Sequence, residues 1–343
     1  MSGTDPFDED DDGAPALDAD LAFGHHLLAL GDDVDPAEVE ALAVSWYANA
    51  GWVADYALAL TEDAVLTGPW RVPDEARPSL RLGPEVAQVF LLRCPVQRGG
   101  PPPPHLLDPN GLTGAFREGL PVGIESDALD FLLAAARRLA GAVRIAGSGA
   151  VLTPDPDADV NLCVYTPIWL EPDALVAALE PVLPTIRLAM DLADFTPPES
   201  VPTPDEAEVE PLPEGELEWL HAEARAFDEA AMAQPPVLDA YGAVAGLGGD
   251  GIIEIAVEGE DTAPLVLRGL DWAEGGVIAY SLRWWPADEE ALYSPTPSRA
   301  FRAARGRVRA KIESAALALY ATVGGEITDE SGFLVEPESL TEA

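Results

Sequence analysis

The chain has 343 residues, 48% of them apolar, which is enough for a sizeable core and, at the usual domain size, roughly two domains. Its 61 Asp and Glu against 19 Lys and Arg give a formal net charge of -42. Such a surface repels phosphate backbones and anionic headgroups and attracts cationic surfaces, so nucleic acid is a poor partner and a basic protein a good one.

Lys311 is the only lysine, a bias that either a GC-rich genome or adaptation to high salt would produce. Cys94 and Cys163 lie far apart in apolar runs, outside any CxxC pair, and read as buried reduced thiols. No stretch reaches the roughly 18 consecutive apolar residues of a membrane span, and no basic and apolar leader opens the chain. A cytoplasmic protein that does not enter the membrane is expected.

Residues 1–34 read as a disordered acidic tail, with an unbroken acidic block at Asp8–Asp12 and no cation before Arg71. After Asp35-Pro36, the positions Val39, Leu42, Ala43 and Trp46 predict a capped helix. Leu80 to Pro95 predicts a buried strand, and Gly99 to Gly123, with four prolines at 101–104, a stiff loop. Ser126 or Asp127 should then cap a helix with Leu129, Leu132, Leu133, Ala136 and Leu139 on one stripe. Ala150–Thr153 and Val160–Tyr165 read as a hairpin, and Pro172 to Leu183 as a short helix.

Residues 191–214 turn to Pro, Glu, Asp and Thr and read as an acidic linker, followed by a helix from about 215 to 233. Ile253, Ile255 and Val257 alternate with glutamates, predicting a strand with one wet face; Leu265–Leu267 and Val277–Trp285 should continue the sheet. The last element is a long helix from Ser298 to Val323, with Phe301, Ala304, Val308, Ile312, Ala315 and Leu319 on one face and Gly324-Gly325 as its stop.

These elements predict an α+β fold of antiparallel sheets with amphipathic helices packed on one side. The order strand, Pro-rich loop, helix, Gly-containing turn occurs twice, over Phe90–Asp155 and Val277–Pro337, and suggests two related strand-helix-hairpin units. The expected parts are the tail 1–34, an N-terminal α+β domain 35–190, the linker 191–214 and a C-terminal α+β domain 215–338.

Signatures of chemistry are sparse. Gly246-Leu-Gly-Gly-Asp-Gly251 has the letters of a dinucleotide fingerprint, but a strand pattern follows it, so no helix N-terminus would meet a pyrophosphate; a glycine-rich β-turn is expected. Asp155, Asp157 and Asp159 have EF-hand spacing, yet Val160 and Thr166 stand where that loop needs Gly and Glu. His25, His26, His105 and His221 have no second ligand at zinc-site spacing. No catalytic, cofactor or metal residue is therefore assigned.

Arg299, Arg302, Arg305, Arg307, Arg309 and Lys311 concentrate cations on the last helix. Arg302, Arg305 and Arg309 share one flank, suited to pairing with the chain's own acidic tail or linker, or to holding an anion. Trp284 and Trp285 must point to opposite faces of their strand. Trp285 then shares its face with Arg283, a pair of types enriched at interface hot spots. The expected function is a non-catalytic acidic binding module, of adaptor or toxin-neutralising type, docking a basic protein through Trp285 and Arg283. The alternative is a small-molecule enzyme with an inter-domain pocket using Asp/Glu acid-base chemistry.

Overall fold

A computed structural model describes residues 14–103, 108–189, 239–294 and 296–340, together with Trp219 and Glu223. Two antiparallel sheets organise them, so the α+β class holds. The first sheet is built from β1 (His26–Leu30), β2 (Gly51–Ala54), β3 (Ala57–Ala59), β4 (Val65–Arg71), β5 (Gln88–Arg93), β6 (Ala142–Arg144) and β7 (Val151–Leu152). Its order is β2-β3-β4-β5-β1-β6-β7. The second uses β8 (Leu162–Thr166), β9 (Ile186–Leu188), β10 (Ala240–Gly246), β11 (Ile252–Glu260), β12 (Val277–Trp285) and β13 (Glu326–Asp329), in the order β9-β10-β11-β12-β8-β13.

Apart from β7, which has no counterpart strand among the described residues of the second sheet, the two orders are the same. In each sheet the first strand in sequence, β1 or β8, runs between the fifth and sixth, pairing antiparallel with β5 and β6 or with β12 and β13. Each is followed by a helix that opens on proline six residues after the strand ends: α1 (Ala19–Phe23) precedes β1, α2 (Pro36–Trp46) follows it, and the counterpart after β8 is Pro172–Leu179. The fourth and fifth strands are joined in both units by sixteen residues, 72–87 and 261–276. A long helix then links the fifth strand to the sixth. In the first unit, which also holds the short α3 (Arg77–Leu80) and α4 (Leu112–Ala115), this helix is α5 (Gly123–Arg138). With Pro172–Leu179 as α6, the second unit's long helix, Arg299–Val323, is α7. The repeat is thus wider than the segments Phe90–Asp155 and Val277–Pro337, which cover only its second half.

Local chemistry explains the elements. Asp35 and Glu38 form a reciprocal capping box on α2, and Ser298 accepts from the Phe301 N–H to start α7. Helices α2 and α5 bury Val39, Leu42, Leu129 and Leu132 against one face of the first sheet. Helices α6 and α7 bury Leu175, Leu179, Val308 and Ile312 against one face of the second. The first sheet also has a covered back face, where Leu17, Ala22 and Leu80 pack on Leu27, Leu91 and Val89, so helices are not confined to one side. Phe333 of the second unit inserts into the first unit's core, with its ring 5.8 Å from Trp46.

Several expectations are corrected. His26–Leu30, assigned to the acidic tail 1–34, is a central strand with every residue buried, because an apolar run flanked by acids still seeks the core. The second sheet takes β8, α6 and β9 from one side of 191–214 and its remaining strands from the other, so a division into 35–190 and 215–338 would cut it. The change of unit falls between β7 and β8. These two strands were expected to form one hairpin; they pair instead with β6 and with β12 and β13, in different sheets. Helix α5 starts at Gly123 without a side-chain cap, ahead of Ser126, and Leu265–Leu267 is a 3-10 turn rather than a strand. Residues 1–13, 191–214 and most of 215–233 lie outside the described residues, as do His105 and His221.

Candidate functional site

Strand pairing defines the back face of the second sheet. Opposite residues share a face, so Glu254 with Arg283, Ala256 with Ser281, Glu258 with Ala279 and Cys163 with Ser281 all lie there. The connection 261–276 covers one end, packing Leu267 and Ala273 near Tyr165 and Val277. At the other end Trp285 is 39% exposed. Its indole N–H donates to Glu254 Oε2 at 2.7 Å, and the Arg283 guanidinium stands 5.8 Å from its ring centroid. The neighbouring Trp284 is 3% exposed and donates to the Asp250 carbonyl from the core side. The structure thus places Trp285 and Arg283 side by side on the open face. Burial and the adjacent Glu258 raise the Glu260 carboxyl above its usual range, and among the described residues neither glutamate has a cation within ion-pair distance.

Three arginines of α7, Arg305, Arg307 and Arg309, have carboxylate partners among the described residues. Arg305 meets Asp155 at 2.7 Å, and Arg309 meets Asp157 at 3.3 Å and the Asp159 carbonyl at 3.0 Å. Arg302 donates to the Pro297 carbonyl just ahead of the helix, and Arg307 grips Asp250 with two bonds of 2.9 and 2.6 Å. Against the upward push of burial, hydrogen bonds from Arg305 and the Asp157 N–H hold the Asp155 carboxyl below its usual range. From the first unit, Arg137 holds both oxygens of Asp159 at 2.9 Å. The acidic turn that resembled a cation loop is therefore the seam between the units, its three carboxylates neutralised by three arginines. A cavity of about 160 Å³ lies beside it, lined by Arg137, Arg138, Arg309, Asp159, Asp329 and Ser331.

Sequence reasoning missed a buried polar network in the first unit. Glu125, fully buried on α5, accepts from His26 Nε2 at 3.0 Å, from the Gln97 N–H at 2.8 Å and from Arg98. The Ala146 N–H donates to His26 Nδ1 at 3.1 Å, which fixes the neutral Nε2–H tautomer. Burial, with Arg98 nearby, pushes the His26 pKa down to about 4. Both ring nitrogens are occupied, so His26 acts here as a staple between β1, α5 and the turn after β6 rather than as a free acid or base. The only signal in the sequence was a polar pair at the edge of an apolar run, His25-His26.

Among the described residues no group of three or more His, Cys, Asp or Glu is arranged to hold a metal ion. Gly246–Gly251 forms the tight connection between β10 and β11, as the strand pattern required. No described helix is long and apolar enough to cross a membrane. The described residues alone hold 42 Asp and Glu against 18 Lys and Arg, so a surplus of 24 carboxylates belongs to the two-sheet body itself. Fold and surface together define a tandem-repeat α+β protein with an acidic open sheet face. No family model, curated protein or solved structure matches the chain.

Proposed function

We propose that this protein is a non-catalytic binding module that docks a basic protein partner on the open face of its second sheet, in an adaptor or toxin-neutralising role. The observation that carries the proposal is the pair of uncompensated glutamates, Glu258 and Glu260, on the same face as Trp285, Glu254 and Arg283. Like charges two residues apart on one strand lie roughly 7 Å from each other and repel. A cationic side chain laid between them relieves that repulsion, while the half-exposed indole offers an anchor of the kind that dominates interfaces. For the alternative, an enzyme with an inter-domain pocket, the seam cavity is below the roughly 300 Å³ of ordinary ligand pockets, and Asp159 is already held by Arg137.

The test is capture from native lysate at low and high ionic strength by the full chain and by the double variant Glu254→Lys, Glu258→Lys. A basic partner retained at low salt, released at high salt and lost from the variant supports docking at this face. Equal capture by both forms, or no salt-sensitive capture at all, removes it.

A further inference from the structure

One end of the first sheet gathers arginines from separate parts of the chain. There the turn between β6 and β7 reads Ala146-Gly147-Ser148-Gly149, with Gly147 at φ 76° and Gly149 at φ 63°, the left-handed region that favours glycine. On one side of the turn stand Arg81 and Arg144. A Cβ added to Gly149 would lie 3.7 Å from Arg144 Nη2 and 4.0 Å from Arg81 Cζ, so both guanidinium groups crowd the same backbone. Arg144 is 1% exposed and is held by the carbonyls of Leu80 at 3.0 Å and Phe23 at 3.4 Å, with the Phe23 ring 5.1 Å away. Among the described residues neither arginine has a carboxylate within ion-pair distance. A buried cation without a counter-charge is costly, and a second cation beside it adds to the cost.

Residues 146–148 of the turn also line a cleft of about 810 Å³, within the ordinary size of a small-ligand site. Arg98, Phe116, Arg117 and Glu118 line it together with Ala146, Gly147 and Ser148. Arg98 stacks 4.7 Å above Phe116 and spends its charge on Glu125. Arg117 donates only to the Gly114 carbonyl, and the Gly147 N–H has no partner among the described residues.

We propose that the Gly147-Ser148-Gly149 turn, between Arg81 with Arg144 buried behind it and the cleft of Arg98 and Arg117, binds the phosphoryl group of a small ligand. The free Gly147 N–H, the Ser148 hydroxyl and the Arg81 guanidinium supply donors of the kinds that hold phosphate, and Arg144 supplies a fixed field that solvent screens poorly. The ligand is small because the field of the whole molecule repels a polyanion at long range. The site is on the first unit, away from the open face of the second, and stands whether or not a protein docks there.

The experiment is calorimetric titration of the full chain with sodium phosphate against sodium chloride at matched ionic strength. Arg81→Gly and Arg117→Ala are the test variants and Lys311→Ala the control. Glycine accepts the left-handed backbone of residue 81, at φ 57°, so Arg81→Gly removes the charge without adding strain. Phosphate should bind the parent and the control, and Arg81→Gly should weaken it on the order of tenfold, as expected for the loss of a charge-assisted hydrogen bond. A second arm compares adenosine monophosphate with inorganic phosphate. Tighter binding of the ester, lost in Arg117→Ala, assigns a phosphorylated organic ligand to the cleft; equal binding assigns free phosphate; either upholds the site. Phosphate heats no larger than those of chloride, or unchanged affinity in Arg81→Gly, overturns it.

Discussion

Cys163 stands in the second sheet where Leu27 stands in the first. Leu27 lies between Leu91 and Arg144 across its two strand pairings, and Cys163 between Ser281 and Thr328. The exchange of bulky aliphatic residues for small and polar ones separates a face that the chain covers with its own Leu17, Ala22 and Leu80 from one left partly open.

The same comparison predicts thiol behaviour. Burial pushes Cys163 up to about 11, outweighing hydrogen bonds from Ser281 and Tyr165 that act downward, and burial raises Cys94 as well. Since the thiolate is the reactive species, both should label slowly with iodoacetamide near neutral pH and rapidly once the protein is unfolded. Mass spectrometry showing fast modification of Cys163 in the native protein at pH 7.5 would contradict this arrangement.

The staple at Glu125 should be among the most sensitive positions. Glu125→Ala leaves His26, Arg98 and the Gln97 N–H without their shared acceptor in a fully buried setting, a change that costs about 3–5 kcal/mol. Urea unfolding measures it; a loss below about 1 kcal/mol would mean the network is not closed in solution.

Adjacent tryptophans should behave oppositely. Trp284→Ala removes a core side chain and should cost about 3–5 kcal/mol. Trp285→Ala should change stability by less than about 1 kcal/mol, since its ring is half-exposed and contributes little to the core. Capture of a basic partner should nevertheless fail in Trp285→Ala, and retained capture by a folded Trp285→Ala protein argues against its role as an anchor.

Stability should increase as pH falls from neutral toward the carboxylate range. Burial raises the pKa of Asp130, Glu260, Glu313, Glu326, Asp329 and Glu330. For a group whose pKa is higher folded than unfolded, the native state binds more protons in that interval, so stability is gained on acidification and lost as pH rises. The opposite sign holds for Asp250, held down by its hydrogen bond from Arg307, and for Asp155, where Arg305 overcomes burial. Their contribution is present above the ordinary carboxylate pKa and disappears as pH falls through their lowered values. His26, pushed down to about 4, also opposes the gain, its contribution being lost as pH falls from the ordinary histidine value of 6.5 toward 4. The six raised carboxylates outnumber these three groups, so melting temperature followed against pH should pass through a maximum below neutrality; a monotonic decline from pH 8 downward would refute the balance.

What the sequence disclosed and what it hid follow from the physics of each element. Helix α7 was legible because its apolar positions repeat at three and four residues between a serine cap and a glycine stop. The alternation of Ile253, Ile255 and Val257 with glutamates marked β11 because one face of that strand is wet. Strand β1 was hidden because both of its faces are buried, which removes the alternation and leaves a short apolar run inside an acidic stretch. Strands β7 and β8 were visible, but period-two patterning says nothing about which sheet a strand joins. Trp285 and Arg283 could be paired from strand geometry alone, whereas Glu125 and His26 are 99 residues apart and meet only through the sheet.

The insertion of β8 between β12 and β13 has a practical corollary for anyone handling the molecule. A protease nick anywhere from 190 to 238 would separate β8, α6 and β9 from their hydrogen-bonded neighbours in covalent terms only, since the pairings of β8 with β12 and of β9 with β10 span the break. The two pieces should elute together and come apart only in denaturant, which makes this interval a natural place to split the protein into complementing halves.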